Sequence, residues 1–130
     1  MDTATKRLVR QRAESHCEYC GLHQDNSPIA ALQIEHIVPK KHGGTDDPEN
    51  LALACIDCNL AKGSNIAGRD ADTTELTPLF NPRLDRWDER FERRGVYIVG
   101  KTAIGRTTVQ VLNMNSEDNL ELRAVQWPTP

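Results

Sequence analysis

Aromatic residues are scarce in this chain, at 5% of 130 positions, and hydrophobic residues of all kinds reach only 38%. That excludes a large, self-sufficient aromatic core; a chain of this length suits one compact domain, and a small core often needs a staple. No run is long and apolar enough to span a bilayer, which excludes a membrane helix. The opening Met1-Asp2-Thr3-Ala4-Thr5-Lys6 lacks the apolar stretch of a secretory signal, so a cytoplasmic location is expected. An excess of positive charge is missing too: 16 basic residues face 19 acidic ones, for a net charge of −3. This argues against a protein whose main task is to grip nucleic acid over a broad basic surface. It leaves room for a local positive track, and a bound cation adds charge that the formal sum omits.

Cysteine is also sparse, with four residues, but they form two matched C-x-x-C knuckles, Cys17/Cys20 and Cys55/Cys58. Two intervening residues let one turn present both thiolates to one tetrahedral ion. In a reducing compartment such pairs read as metal ligands before disulfides. Four sulfurs leave no open coordination position, so the expected ion is a structural zinc.

Along the chain, residues 4–15 read as a short basic helix with Lys6 and Arg10 on one face. Leu32 to Val38 alternates as a strand that Pro39 ends; 40–50 form a loop around Gly43-Gly44; Leu51 to Ala54 is a returning strand; Ile56 to Lys62 is a helix stopped near Gly63. Residues 64–82 look like a wrapping loop. Residues 83–94 predict one charged helix with the apolar stripe Leu84, Trp87 and Phe91. Residues 96–99 and 107–112 predict a hairpin, and Ser116 caps a last helix over 117–125. The expected organisation is one domain over 1–130, with a core at about 8–65 and an extension at about 83–125.

The ordered set Cys17-x-x-Cys20, Ile34-Glu35-His36-Ile37-Val38-Pro39, Gly43-Gly44-Thr45-Asp46-Asp47, Glu49-Asn50-Leu51 and Cys55-x-x-Cys58-Asn59-x-x-Lys62-Gly63 resembles the HNH endonucleases, which belong to the ββα-metal (His-Me finger) nucleases. The resemblance covers roughly half the chain. It implies a small α+β fold: a zinc-stapled ββα-metal finger with flanking helices and a C-terminal β-hairpin. It also implies an enzyme that hydrolyses phosphodiester bonds in DNA, leaving 5′ phosphate and 3′ hydroxyl ends. His36 matches the general base; neutral imidazole accepts a proton near neutral pH. Glu35 and Asn59 match the ligands of a magnesium-like catalytic ion that steadies the leaving 3′ oxygen, a hard cation completed by water and phosphate. Asn50 matches the middle asparagine, whose amide can brace the loop and hold His36. Lys62 and His42 are candidates for contact with substrate phosphate.

The third family letter is Asn here, giving an HNN pattern. The alternative reading is a non-catalytic zinc module that binds nucleic acid or protein, which the acidic net charge favours. In that reading His36 is a satisfied strand histidine, Lys62 and His42 are surface residues, and Asn50 only closes a turn. The arginines of 83–94 are interleaved with acids, so that segment is read as packing rather than tracking a backbone.

Overall fold

The computed structural model describes residues 1–127. Helix α1 (Thr3–Arg12) starts at Asp2, whose side chain accepts from Thr5 N at 2.7 Å. It ends earlier than the sequence pattern predicts, because Glu14 and Ser15 take left-handed backbone (φ 51° and 58°) and turn the chain into the first cysteine knuckle. Its basic face is only partly solvated. Arg10 donates to Leu32 O at 3.0 Å and Arg12 to Leu51 O at 2.8 Å, so the helix is tied across the strands that follow.

Those strands are β1 (Gln33–His36) and β2 (Leu51–Ala54), antiparallel with Glu35 opposite Ala52 and His36 opposite Leu51. All four residues of β2 are buried. Helix α2 (Ile56–Lys62) follows at once, with the Cys55 side chain as its N-cap and Gly63 closing it through Asn59 O. Strand, loop, strand and helix therefore come in the order read from the sequence. Because side chains alternate along a strand, Gln33 and Glu35 face α2, and Ile34 and His36 point to the other side.

The C-terminal half departs from the sequence reading in detail. The wrapping loop contains a small ribbon, β3 (Ala67–Arg69) paired with β4 (Leu76–Pro78). Residues 83–94 give only one turn of helix, α3 (Trp87–Arg90), before the chain becomes β5 (Phe91–Arg94). Its partner is β6 (Tyr97–Gly100), across a tight turn that begins at Gly95 (φ 59°). A glycine at the first of two turn residues suits a two-residue hairpin. A C-terminal hairpin thus exists, but the expected strand at 96–99, found at 97–100, pairs with 91–94 rather than with 107–112. Residues 107–112, read as the hairpin's second strand, fall in helix α4 (Ala103–Val111) and its C-cap Leu112; the helix is capped at its start by the Thr102 hydroxyl.

Tertiary packing overrides the β-branched composition of α4. Thr108 returns its hydroxyl to Ile104 O and accepts from Phe80 N. A methyl group at Gly105 would lie 1.9 Å from Arg90 O, so only glycine lets the helix rest on the hairpin. Helix α5 (Glu117–Gln126) starts at Ser116 as expected.

Four of the six aromatic residues gather where finger and extension meet. Tyr19, Phe80, Phe91 and Trp87 form a chain of ring contacts, with centroids 5.0 to 6.3 Å apart. The Trp87 indole donates to Tyr19 O at 2.8 Å, fixing the extension against the first knuckle. Buried Arg123 on α5 donates to Val96 O, Met114 O and Asn115 Oδ1, which satisfies the backbone of the far end.

Candidate functional site

The four cysteines are brought together and buried, with all four Sγ atoms within 4.8 Å of one another. Cys20 and Cys55, from different knuckles, are 3.7 Å apart. A tetrahedral ion with bonds of about 2.3 Å needs sulfurs about 3.8 Å apart, so the cluster fits zinc. The titration behaviour follows from the crowding. Burial opposes ionisation of Cys17, but hydrogen bonds from Cys20, Cys55 and Cys58 hold its thiol well below the usual range. Cys20 and Cys58 are pushed well above it, first by their hydrogen bonds with Cys17. A cation of charge two removes this conflict by letting all four ionise. The two knuckles lie before β1 and after β2, so the sulfur cluster clamps together the two chain ends of the hairpin, at the end opposite His36.

His36 sits at the open end of β1, a quarter exposed. Its Nε2 lies 2.7 Å from Asp46 Oδ1. The His36 hydrogen bond holds the Asp46 carboxyl below its ordinary range, and Lys40 Nζ approaches the same oxygen at 3.5 Å. After β1 the chain makes one exposed turn, Lys40–His42, closed by Gly43 in a left-handed conformation (φ 87°). This turn leaves Lys40, Lys41 and His42 in solvent, with Lys40 reaching the carboxylate that His36 also meets.

Asn50 braces that loop. Its side chain accepts from Val38 N at 2.9 Å and donates to Val38 O at 3.0 Å and Thr45 O at 2.9 Å; its own carbonyl accepts from Ile37 N. One amide therefore holds the segment just after His36 and the residue just before Asp46. Gly44 is required at the same place: an added Cβ would stand 1.6 Å from Val38 O and 2.9 Å from Asn50 Nδ2.

Glu35 and Asn59 lie on the other side of β1, toward α2. Glu35 is 5% exposed and its carboxylate accepts from the Tyr19 hydroxyl and from Lys62 Nζ, the latter at 3.1 Å. Lys62, at 1% exposure, also donates to His36 O at 3.1 Å and Ile37 O at 3.0 Å, so its three N–H groups are all used. Burial pushes the Glu35 carboxyl up, while Lys62 and Tyr19 pull it back; burial and Glu35 push the Tyr19 hydroxyl well up. Asn59 donates its amide to Gln33 Oε1.

Strand and helix thus bring Gln33, Glu35, Asn59 and Lys62 to one face. The donor set is a carboxylate and amide oxygens, which suits a hard cation. In the arrangement seen here an ammonium already neutralises the carboxylate. Lys62, expected to reach a substrate phosphate, points inward instead, because strand carbonyls and Glu35 saturate it. His42 is exposed, as a phosphate contact requires.

Two partners escaped the sequence reading, Asp46 and Tyr19. Asp46 sits in a Thr-Asp-Asp run typical of turns, and nothing in its spacing pairs it with a residue ten positions earlier. Tyr19 lies inside a metal knuckle, where a buried hydroxyl aimed at a strand carboxylate leaves no periodic signal. No helix among the described residues is long and apolar enough to cross a membrane.

Residues 17–65 match the family HNH endonuclease. The matched segment runs from the first knuckle through α2, so it contains the sulfur cluster, β1, the Asn50 loop and β2. The chain is also 26% identical over 117 residues, or 88% of its length, to a protein of Bacillus thuringiensis named Septu protein PtuB, and it spans 42% of that protein.

Proposed function

We propose that this chain, carrying an HNH endonuclease segment, is a metal-dependent endonuclease that hydrolyses phosphodiester bonds in DNA, with His36 as the general base. The observation that carries this reading is the placement of His36: a part-exposed imidazole at a strand end, beside the solvent-exposed Lys40–His42 turn, within a loop braced by Asn50. That turn gives the local positive track that an acidic chain otherwise lacks. Lys41 and His42 are the proposed phosphate contacts, and long-range attraction to the polyanion comes from the same patch. Asn50 acts through position, keeping the imidazole at the loop mouth.

A magnesium-like divalent ion would be held by Glu35 and Asn59, whose carboxylate and amide oxygens are hard donors. When bound, it supplies charge relief at the leaving 3′ oxygen. The sulfur cluster holds zinc and serves the fold. Finger and extension work as one unit, since Trp87 and Tyr19 join them.

The test is cleavage of supercoiled plasmid with divalent ion and with chelator, by the parent and by His36→Ala. The variant is expected to keep its zinc and its fold and to lose cleavage. Equal rates for the two proteins would remove His36 from the chemistry.

A second reading is favoured by one specific observation, the Lys62 ammonium seated on Glu35. It makes the chain a non-catalytic zinc module for nucleic acid or protein. DNA left intact at every divalent ion tried, with binding retained, would select it.

A further inference from the structure

The His36–Asp46 contact decides which ring nitrogen carries the chemistry. Asp46 lies below its ordinary range and is ionised near neutral pH, so its oxygen only accepts. The nitrogen facing it at 2.7 Å, Nε2, must carry the hydrogen. In a neutral ring the lone pair then belongs to Nδ1, which has no hydrogen-bond partner among the described residues. We propose that Asp46 is a positioning residue that fixes this tautomer of His36, and that Nδ1 is the atom that takes the proton of the attacking water.

The contact is built rather than incidental. Asn50 ties Val38, two residues after His36, to Thr45, the residue before Asp46. Gly44 makes room for that tie against Val38 O. The two partners are therefore held from both chain directions at once. Lys40, 3.5 Å from the same Asp46 oxygen, offsets part of the charge left on the carboxylate.

The inference rests on the proposed role of His36 as base, and the step balances as follows. An O–H bond of water breaks and its proton goes to Nδ1; the water oxygen forms a bond to phosphorus. The bond from phosphorus to the 3′ oxygen breaks, and the departing oxygen keeps the electron pair and takes a proton from solvent. The ring, now protonated on both nitrogens, is an imidazolium whose Nε2–H faces the Asp46 carboxylate. The same logic operates wherever a buried or half-buried carboxylate holds a catalytic histidine in one tautomer.

The experiment uses the zinc-loaded full chain with histidine labelled at both ring nitrogens. Long-range proton–nitrogen spectra at about pH 8.5, above the ordinary imidazole range, report the tautomer of each ring; the His36 signals are those missing from His36→Ala. The parent is expected to show hydrogen on Nε2 and a bare Nδ1. Asp46→Asn, at a half-exposed site that tolerates the change, offers an amide N–H to Nε2 and is expected to move hydrogen to Nδ1. Plasmid cleavage by that variant should fall at least about 10- to 100-fold in kcat with KM little changed, the range seen when the carboxylate that orients a metal-bound histidine is lost.

Three results would overturn the inference: a parent ring with hydrogen on Nδ1, a tautomer that Asp46→Asn leaves alone, or a changed tautomer with undiminished kcat. His36→Ala separates the two levels. Full cleavage by His36→Ala removes the underlying reading of the base. Lost cleavage there, with Asp46→Asn fully active, removes only the role of Asp46.

Discussion

Substituting Lys62 by methionine tests the most consequential buried interaction in the finger. The two side chains are almost sealed from solvent, 2% and 5% exposed, and the ammonium lies 3.1 Å from Glu35. It also holds the carbonyls of His36 and Ile37. Methionine keeps most of the volume but strands a carboxylate and two carbonyl oxygens in the interior. Breaking one half of a buried pair costs about 3–5 kcal/mol, a large part of the 5–15 kcal/mol typical of a domain. At this chain length that corresponds to a fall of about 10–20 °C in Tm.

The pH dependence has a definite sign. Without Lys62, the Glu35 carboxyl loses its largest downward influence and burial raises it further. A carboxyl whose folded value lies above its unfolded value, about 4.3, favours the fold when protonated. The variant's deficit should therefore shrink as pH falls from 8 toward 5 and grow as pH rises through the folded value. Urea unfolding of zinc-loaded parent and variant, compared at each pH, measures this with the effects common to both proteins cancelled. Adding Glu35→Gln to Lys62→Met should recover part of the loss, because the uncompensated charge is gone. A variant within about 1 kcal/mol of the parent at pH 8, or a double variant no better than the single one, would refute the account of this pair.

Removing zinc with a strong chelator, or replacing Cys58 by serine, should unfold the finger, since metal affinity at such sites is folding free energy; one zinc per chain before treatment and collapse of the circular dichroism signal after it are the readouts. Asn50→Ala removes three side-chain hydrogen bonds across the loop and should cost about 1–3 kcal/mol by denaturant titration. Its cleavage rate should fall further than that loss of folded protein accounts for. The Arg106 fork on Asp70 (3.0 and 2.9 Å) holds that carboxyl well below the usual range, so its contribution is complete above pH of about 4 and fades only as pH falls through the folded value. Arg106→Met should lower Tm at pH 7, with the gap to the parent closing in strong acid.

What the sequence disclosed and what it hid divide along a physical line. The finger was legible because its signals are local: two C-x-x-C pairs, a strand ended by Pro39, and a helix that starts at a cysteine cap and stops at Gly63. Asn50 was singled out by the ordered family pattern, as the match to its middle asparagine. The extension was misread where long-range packing decides. Thr107, Thr108, Val109 and Val111 carry strand propensity, yet they form α4, because Gly100 and Gly105 let a helix lie against the hairpin. Residues 91–94 continue a helical charge pattern but pair with 97–100 once Gly95 turns the chain. At the site, the residue types were visible and their partners were not. Glu35 was read as facing an ion; its engagement by Lys62 and Tyr19 depends on a helix and a knuckle meeting over β1, which no window of sequence contains.

Tyr19 gives the molecule a built-in optical gauge. It stands between two sulfur ligands, hands its hydroxyl to Glu35 and its carbonyl to the Trp87 indole. Stripping the ion from the knuckle therefore disturbs a tryptophan donor bond directly, and indole emission should register metal occupancy in real time. The same side chain couples that event to the strand that carries His36, so the light signal and the alignment of the histidine should be lost together.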